Sequence, residues 1–293
     1  MDFVLDLNVQ GKSHVAIREA EDRKLSLVKD YDNSYLMFLD FINSNKVWSQ
    51  FKIEKLFGLE VLNVADNQSS QIGIPALPHD FCHCMVSSFG HTYSAGNDSG
   101  SALRSLDWFF KGNGSSLITS GQPLVSPNYA FSGGIEVEHA CVYIIDRDRH
   151  PHYVGYTLAN DFSDPLLRHT IPSLANMSKL RVTVLGGELV MDKIPQSSQI
   201  KVQVFRGSEV VWNKNGLIGQ KHMSYQIDEL EDLLFQHKDL CIPGFVHYVL
   251  VGAALSSDKE CVKLCSGDLI KINSEIDKIE LVNTYIQSDQ QCY

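Results

Sequence analysis

The stretch GIEVEHACVYII, Gly134 to Ile145, reads as a buried β-strand, yet it opens with Glu136 and Glu138 two residues apart. Alternate residues of a strand share a face, so both carboxylates are aimed at the same place. The strand is followed by the turn-like RDRHP and then by HYVGYTLAND, a second strand pattern, and the two read as a long hairpin. A turn centred between Arg149 and His150 would set Glu138 opposite Asp161, and directly opposed residues project to the same face. Glu136, Glu138 and Asp161 would then converge, provided that no bulge shifts the register.

Unpaired burial of clustered carboxylates costs several kcal/mol each, so such a cluster needs protonation or a bound cation. Oxygen ligands of this kind suit a hard divalent ion. The bland alternative is a strand end whose two glutamates face water, and periodicity does not choose between the two.

The wider sequence narrows the classes. The chain has 293 residues, 44% apolar and 20% charged, the balance of a globular protein with one large domain or two ordinary ones. A formal net charge of −10 with no Lys/Arg block argues against a nucleic-acid surface. Asp2 and Asp6 stand where a signal peptide would be basic and then apolar, and no apolar run approaches the roughly 18 residues that span a bilayer. A cytoplasmic protein with no membrane partner is expected. Seven scattered cysteines (82, 84, 141, 241, 261, 265 and 292) match no zinc spacing and read as reduced thiols.

Short apolar stretches (FVLDLNV, LSLV) and a helical pattern in SYLMFLDFINSNKVWSQF precede the polar, proline-punctuated NVADNQSSQIGIPALPHD. This segment reads as a linker and divides the chain into a small α+β domain, 1–75, and a larger domain, 76–293. The larger part is dominated by strand signals: LRVTVLGGELV, QIKVQVFRGSEVVW and DLIKINSEIDKIELVNTY. One clear amphipathic helix, SYQIDELEDLLFQHKDL, places Ile227, Leu230, Leu233 and Leu234 at helical spacing. Strands outnumber helices without regular alternation, so the class is mainly β with some α, an α+β fold rather than a doubly wound parallel sheet.

Other motifs are weak. His150 and His152 sit at the hairpin turn, KGNGSS lacks the Lys-Ser/Thr of a nucleotide loop, and neither G-x-S-x-G nor G-x-G-x-x-G is present.

Four segments in order, FFKGNGSSLITSGQPLVSP, GGIEVEHACVYII, HYVGYTLANDFSD and SKLRVTVLGGELV, resemble the fumarylacetoacetate hydrolase superfamily from about Phe89 to Tyr285. Within it they are most similar to the branch of 2-keto-3-deoxy-arabinonate dehydratases, whose short pattern appears here as ANDFSD. The resemblance implies a small N-terminal domain, a mixed β-sandwich roll and a homodimer. It implies one Mg²⁺, Mn²⁺ or Ca²⁺ held by Glu136, Glu138 and Asp161. Lys179 would approach the substrate beside the metal, and Lys111 would be a substrate or anion contact. The substrate implied is a small 2-oxo acid, converted through a metal-stabilised enolate. Lys179 would hold the developing oxyanion, or shuttle a proton if desolvation lowered its pKa.

Departures from the family pattern bear on the reaction. SFGHTYSAGNDSGSALRSLDWFF supplies His91 as a candidate base and Thr92 as a hydroxyl-binding residue, but no H-x-x-E of the lid type. An arginine expected after Asp161 is missing, and Ala253 follows Gly252 where a threonine would hold the substrate carboxylate. The leading expectation is a dehydratase of a 2-keto-3-deoxy sugar acid. Its rivals are a C–C hydrolase of acylpyruvates or similar β-dicarbonyl acids, and a catalytically silent sugar-acid-binding homologue.

Overall fold

A computed structural model describes residues 1–20, 24–56, 61–63, 71–93 and 106–288. The first part of the chain forms β1 (Asp2–Val9), β2 (Lys12–Glu19), β3 (Lys24–Val28), β4 (Val61–Asn63) and β5 (Gln71–Ile72), with α1 (Ser34–Asn43) and α2 (Trp48–Leu56) between β3 and β4. Next come β6 (Cys84–Gly90), β7 (Asp107–Gly112), β8 (Leu117–Thr119) and β9 (Leu124–Ser126). The hairpin β10 (Glu136–Ile145) and β11 (Pro151–Asp161) leads into the short helix α3 (Pro165–Thr170). β12 (Thr183–Leu185), β13 (Glu188–Val190), β14 (Ser198–Arg206) and β15 (Glu209–Ile218) precede α4 (Ile227–Phe235). β16 (Val246–Leu250), β17 (Leu255–Ser256), β18 (Leu269–Ser274) and β19 (Glu280–Gln287) complete the described chain.

Two sheets organise these strands. The larger runs β4-β3-β2-β1-β13-β11-β10-β16-β6-β7, and the smaller runs β15-β14-β18-β19-β9. The sheets are mixed, because β6 pairs with β16, β8 with β12 and β9 with β19 in parallel while hairpins supply antiparallel pairs. The mainly-β expectation holds. The N-terminal strands belong to the same large sheet as the hairpin: β1 pairs with β13 from Phe3–Val190 to Leu5–Glu188. Arg18 seals that joint with a two-nitrogen bond to Glu188.

β10 is buried along its whole length because both its faces are covered. Val137, Cys141, Tyr143 and Ile145 pack toward the smaller sheet with Val202, Ile270 and Leu281. Ala140, Val142 and Ile144 face a second core that includes Val4, Val15, and Met37, Phe38 and Phe51 of the N-terminal helices. Glu136 and Glu138 fall on this second face by parity, at the end of the strand. The expected helix is α4, fastened by a capping box between Gln226 and Glu229 and burying Leu230, Leu234 and Phe235; Leu233 is exposed.

The hairpin register differs from expectation. Near the turn Ile145 faces Pro151, Ile144 faces His152 and Tyr143 faces Tyr153. Continued unbroken, this register would set Glu136 opposite Asn160 and turn Asp161 to the other face. Val154 has no partner, however, and from Val142–Gly155 onward the ladder is shifted by one: Glu138 faces Ala159 and Val137 faces Asn160. Asp161 therefore comes level with Glu136 rather than with Glu138. The cause is a β-bulge, in which one extra residue flips the parity of everything beyond it. Gly155 makes the bulge possible: its φ is +147°, and a Cβ there would lie 2.4 Å from the carbonyl oxygen of Val190.

Candidate metal centre

Glu136, Glu138 and Asp161 each present a buried carboxylate oxygen, and these oxygens lie within 4.8 Å of one another. Lys179, at the end of a 3-10 segment (Pro172–Lys179), inserts its ammonium between two of them. Its Nζ donates to Glu136 Oε2 in a short contact and to Asp161 Oδ2 at 2.7 Å. Lys111 reaches Asp161 from the other oxygen, with Nζ 2.5 Å from Oδ1, and donates to the Phe162 carbonyl at 2.8 Å. Three carboxylates thus face two ammoniums, and none of the five groups is exposed.

The electrostatics follow from burial and these pairings. Burial would raise the Asp161 pKa, but the charges of Lys111 and Lys179 outweigh it and hold the carboxyl well below the usual range. Glu138 goes the other way: burial, reinforced by the charge of Asp161, pushes its pKa well above the usual value. It accepts a hydrogen bond from the Gly252 N–H at 2.7 Å. For Lys179, burial opposes the charged form, yet Asp161, Glu136 and Glu138 together raise its pKa above that of an ordinary lysine. In this state Lys179 is a fixed positive charge rather than a proton shuttle.

The residues fit a hard divalent ion. The three oxygens converge in a buried pocket that already recruits cations, with Lys111 on one oxygen of Asp161 and Lys179 on the other. Glu138, without an ammonium in direct contact, is the carboxylate left shortest of positive charge.

ANDFSDP builds much of the surround. Asn160 Oδ1 accepts from the Glu136 N–H at 3.1 Å, and the Ser163 hydroxyl donates to Glu136 Oε1 at 3.0 Å. Asp164 caps α3 through the Leu167 N–H and also holds the N–H groups of Phe131 and Ser132 and the guanidinium of Arg181.

The site opens into a cleft of about 680 Å³ lined by Glu136, Glu138 and Lys179, with His91, Asp107, Arg168, His169, Asn176, Ser256 and Asp258 among the polar residues of its walls. His91 lines it, with Nε2 3.1 Å from Asp107 Oδ2. Two other expected contacts are placed differently. Lys111 is fully buried behind Asp161 and does not line the cleft, because it is the unpaired residue of a second bulge, between Ser87–Phe110 and Val86–Gly112, which aims its side chain inward. Thr92 is buried too, and its hydroxyl is committed to the Val251 carbonyl at 2.6 Å. It abuts Gly252, where φ is +103° and a Cβ would meet the Thr92 hydroxyl, so it shapes the turn that offers an N–H to Glu138. The H-x-x-E-lacking segment lies largely in 94–105, outside the described residues.

Sequence reasoning missed Arg168, His169 and Asp258. Arg168 Nη2 lies 3.5 Å from Glu136 Oε1 and 3.4 Å from Asp258 Oδ2, and His169 Nε2 lies 2.8 Å from the same Asp258 oxygen. The signal available was the pair Arg168–His169 after Pro165, a short capped helix directly following a candidate ligand.

No family model matches the sequence, and no curated protein matches it. Solved structures do. The chain is similar to a 2-keto-3-deoxy-D-arabinonate dehydratase complexed with magnesium and 2,5-dioxopentanoate, with a TM-score of 0.74 at 15% identity over 99% of this chain and 100% of that one. A hexagonal crystal form of 2-keto-3-deoxyarabinonate dehydratase gives 0.75 at 16% identity over the same shares. A 5-carboxymethyl-2-hydroxymuconate delta-isomerase from Mycobacterium smegmatis gives 0.65 at 16% identity, over 98% of this chain and 100% of that one. The likeness runs the length of the chain, and the protein has the fumarylacetoacetate hydrolase fold that the order of its motifs implies.

Proposed function

We propose that this protein is a divalent-metal-dependent enzyme that acts on a small 2-oxo acid through an enolate, and that the reaction is dehydration of a 2-keto-3-deoxy sugar acid. The observation that carries the proposal is the buried convergence of Glu136, Glu138 and Asp161 with Lys179 at the floor of an open cleft. These three carboxylates would hold the ion, with Mg²⁺ the choice favoured by hard oxygen donors and by the magnesium of the similar dehydratase. When bound, the ion supplies Lewis-acid polarisation of the ketone.

The chain's own residues do the rest. Lys179, kept charged by its carboxylate neighbours, stabilises negative charge growing on the ketone oxygen. Lys111 holds Asp161 ionised from behind, outside the reach of substrate. His91, which lines the cleft wall and is backed by Asp107, would take the proton from C3. The polar groups of the cleft, Asn176 and Ser256 among them, suit a substrate with several hydroxyls.

A second reading, C–C hydrolysis of an acylpyruvate, is favoured by one feature. A groove of about 510 Å³ shares Phe89, Leu106 and Trp108 with the cleft and continues onto Leu233, Leu234 and Leu240, a lining suited to an acyl chain.

Calorimetry on chelator-stripped protein tests the common core: wild type should bind Mg²⁺, and Glu138→Gln and Asp161→Asn should lose most of that affinity while staying folded. Absence of divalent-ion binding in wild type would end the metal reading. Turnover of 2-keto-3-deoxy-D-arabinonate but not of acylpyruvates supports the lyase, and the reverse preference supports the hydrolase.

A further inference from the structure

Dehydration needs two proton transfers, one from C3 and one to the departing C4 oxygen, because hydroxide is a poor leaving group. Of the cleft residues described above, the three carboxylates and Lys179 are engaged with one another, and His91 is one proton carrier. A second lies on another element. His169 closes α3, and its Nε2 is fixed by Asp258 at 2.8 Å, while no described residue partners its Nδ1. Both residues line the cleft.

The dyad is also tied to the carboxylate centre. Asp258 Oδ2 is shared with Arg168, whose guanidinium reaches Glu136. Each half rests on a rigid support. α3 is seated by Asp164, which gathers donors from 131–132, the first turn of the helix and Arg181. Asp258 begins a 3-10 turn whose preceding residue, Ser257, exchanges hydrogen bonds with Ile135: Ile135 N–H to the Ser257 hydroxyl at 2.8 Å, and Ser257 N–H to the Ile135 carbonyl at 2.9 Å. Ile135 is the residue before Glu136. Imidazole and carboxylate are thus each anchored within a few residues of a strand end that carries a carboxylate of the site. Such second-layer fixing holds a catalytic group in place before substrate arrives.

We propose that His169, oriented by Asp258, is the general acid that protonates the leaving C4 hydroxyl. This rests on the dehydratase reading above. In the step, His91 takes the C3 proton, and the C3–H pair forms the enolate. The enolate electrons then make the C3=C4 bond as C4–O breaks with its pair. The departing oxygen takes the imidazolium proton of His169 and leaves as water, and His169 is left neutral.

The test uses Mg²⁺-loaded wild type, His169→Asn and Asp258→Asn with 2-keto-3-deoxy-D-arabinonate. Three quantities are read: Mg²⁺ affinity by calorimetry, exchange of the C3 protons into D₂O by NMR, and steady-state dehydration. In His169→Asn the dehydration kcat should fall by about 100-fold or more with KM little changed, as expected for loss of a general acid. Mg²⁺ affinity and C3 exchange should persist, since enolate formation precedes the blocked step. Asp258→Asn should show the same pattern at a smaller amplitude. Loss of C3 exchange together with dehydration, loss of Mg²⁺ affinity, or a kcat within a few-fold of wild type would each overturn the assignment. If wild type binds Mg²⁺ but neither exchanges nor dehydrates the substrate, the dehydratase reading itself fails and His169 loses its role with it.

Discussion

Lys111 and Lys179 approach different oxygens of Asp161, and the difference in their surroundings separates structure from chemistry. Lys111 is sealed in, and burial lowers its own pKa against the pull of Asp161, so its ammonium depends on the carboxylate as much as the reverse. Lys111→Met would leave Asp161 with one ammonium in a dry site. Breaking a buried pair in this way costs about 3–5 kcal/mol, so urea unfolding should show a loss of that order. Added Mg²⁺ should recover part of it, more than it adds to wild type, because the ion supplies the missing charge; an unchanged midpoint without Mg²⁺ would refute the role. Asp6 offers a test of opposite sign far from the site. Burial pushes its pKa up to about 7, although the N–H and hydroxyl of Ser34 both donate to it. The folded state therefore binds this proton more tightly than the unfolded chain does. Stability from Asp6 is present below about pH 4 and is lost as pH rises toward 7. Asp6→Asn should flatten that part of the stability–pH curve, which chemical denaturation at several pH values would reveal.

Two bulges, one in each of two strands, assemble the site from elements whose regular ladders would miss it. Were Val154 paired in an unbroken ladder, the hairpin would carry Asp161 to the opposite face of the sheet, and without the offset at Lys111 an ammonium would not reach it from behind. Deleting Val154 makes Tyr143–Tyr153 and Val142–Gly155 consecutive pairs and leaves Asp161 level with Glu136, so Mg²⁺ binding and strand content by circular dichroism should both persist. Gly155→Ala should destabilise the fold by at least about 1–3 kcal/mol, since the new Cβ meets the Val190 carbonyl and the backbone is held at positive φ. Loss of Mg²⁺ affinity in a folded deletion variant would show that the local twist of the bulge, beyond the pairing register, sets the position of Asp161. What the sequence disclosed follows the same division. Alternation along EVEHACVYII was enough to put Glu136 and Glu138 on one face, because period 2 is local. The register was not, because the bulge depends on a glycine whose neighbour lies on β13, in contact only once the sheet forms. Gly155 within HYVGYTLAND was the available sign, since an isolated glycine in a strand often marks a bulge. Arg168, His169 and Asp258 were harder still. They come from a six-residue helix and a 3-10 turn, elements too short to carry a period, and they meet across 89 residues of sequence.

At the scale of the molecule, the excess of strands over helices and the order of four motifs were sufficient to anticipate the fold, since both are properties of the whole chain. The way the first strands join the rest was less accessible, because β1 pairs with β13 across nearly two hundred residues. That pairing has a thermodynamic consequence. β1 is continuous through β13 and β11 with the strands that carry the carboxylates, and Phe3, Leu5 and Tyr156 share one core with Val137. Among the described residues no helix is long and apolar enough to cross a membrane. Ligand binding at the end of β10 should therefore stabilise the N-terminal strands together with the site. At a free Mg²⁺ concentration about 100 times Kd, linkage adds roughly 2.7 kcal/mol. With about 2.1 cal/mol/K per residue, a 293-residue chain has an unfolding entropy of roughly 0.6 kcal/mol/K. The expected rise in Tm is then about 4 °C. Scanning calorimetry should show one transition moving by that amount. Fluorescence of Trp48 in a Trp108→Phe, Trp212→Phe background, which reports on α2, should move with it. Asp161→Asn should move neither signal on adding Mg²⁺. A first transition at Trp48 that ignores Mg²⁺ would mean that the N-terminal strands unfold on their own and that the β1–β13 joint does not couple them to the site.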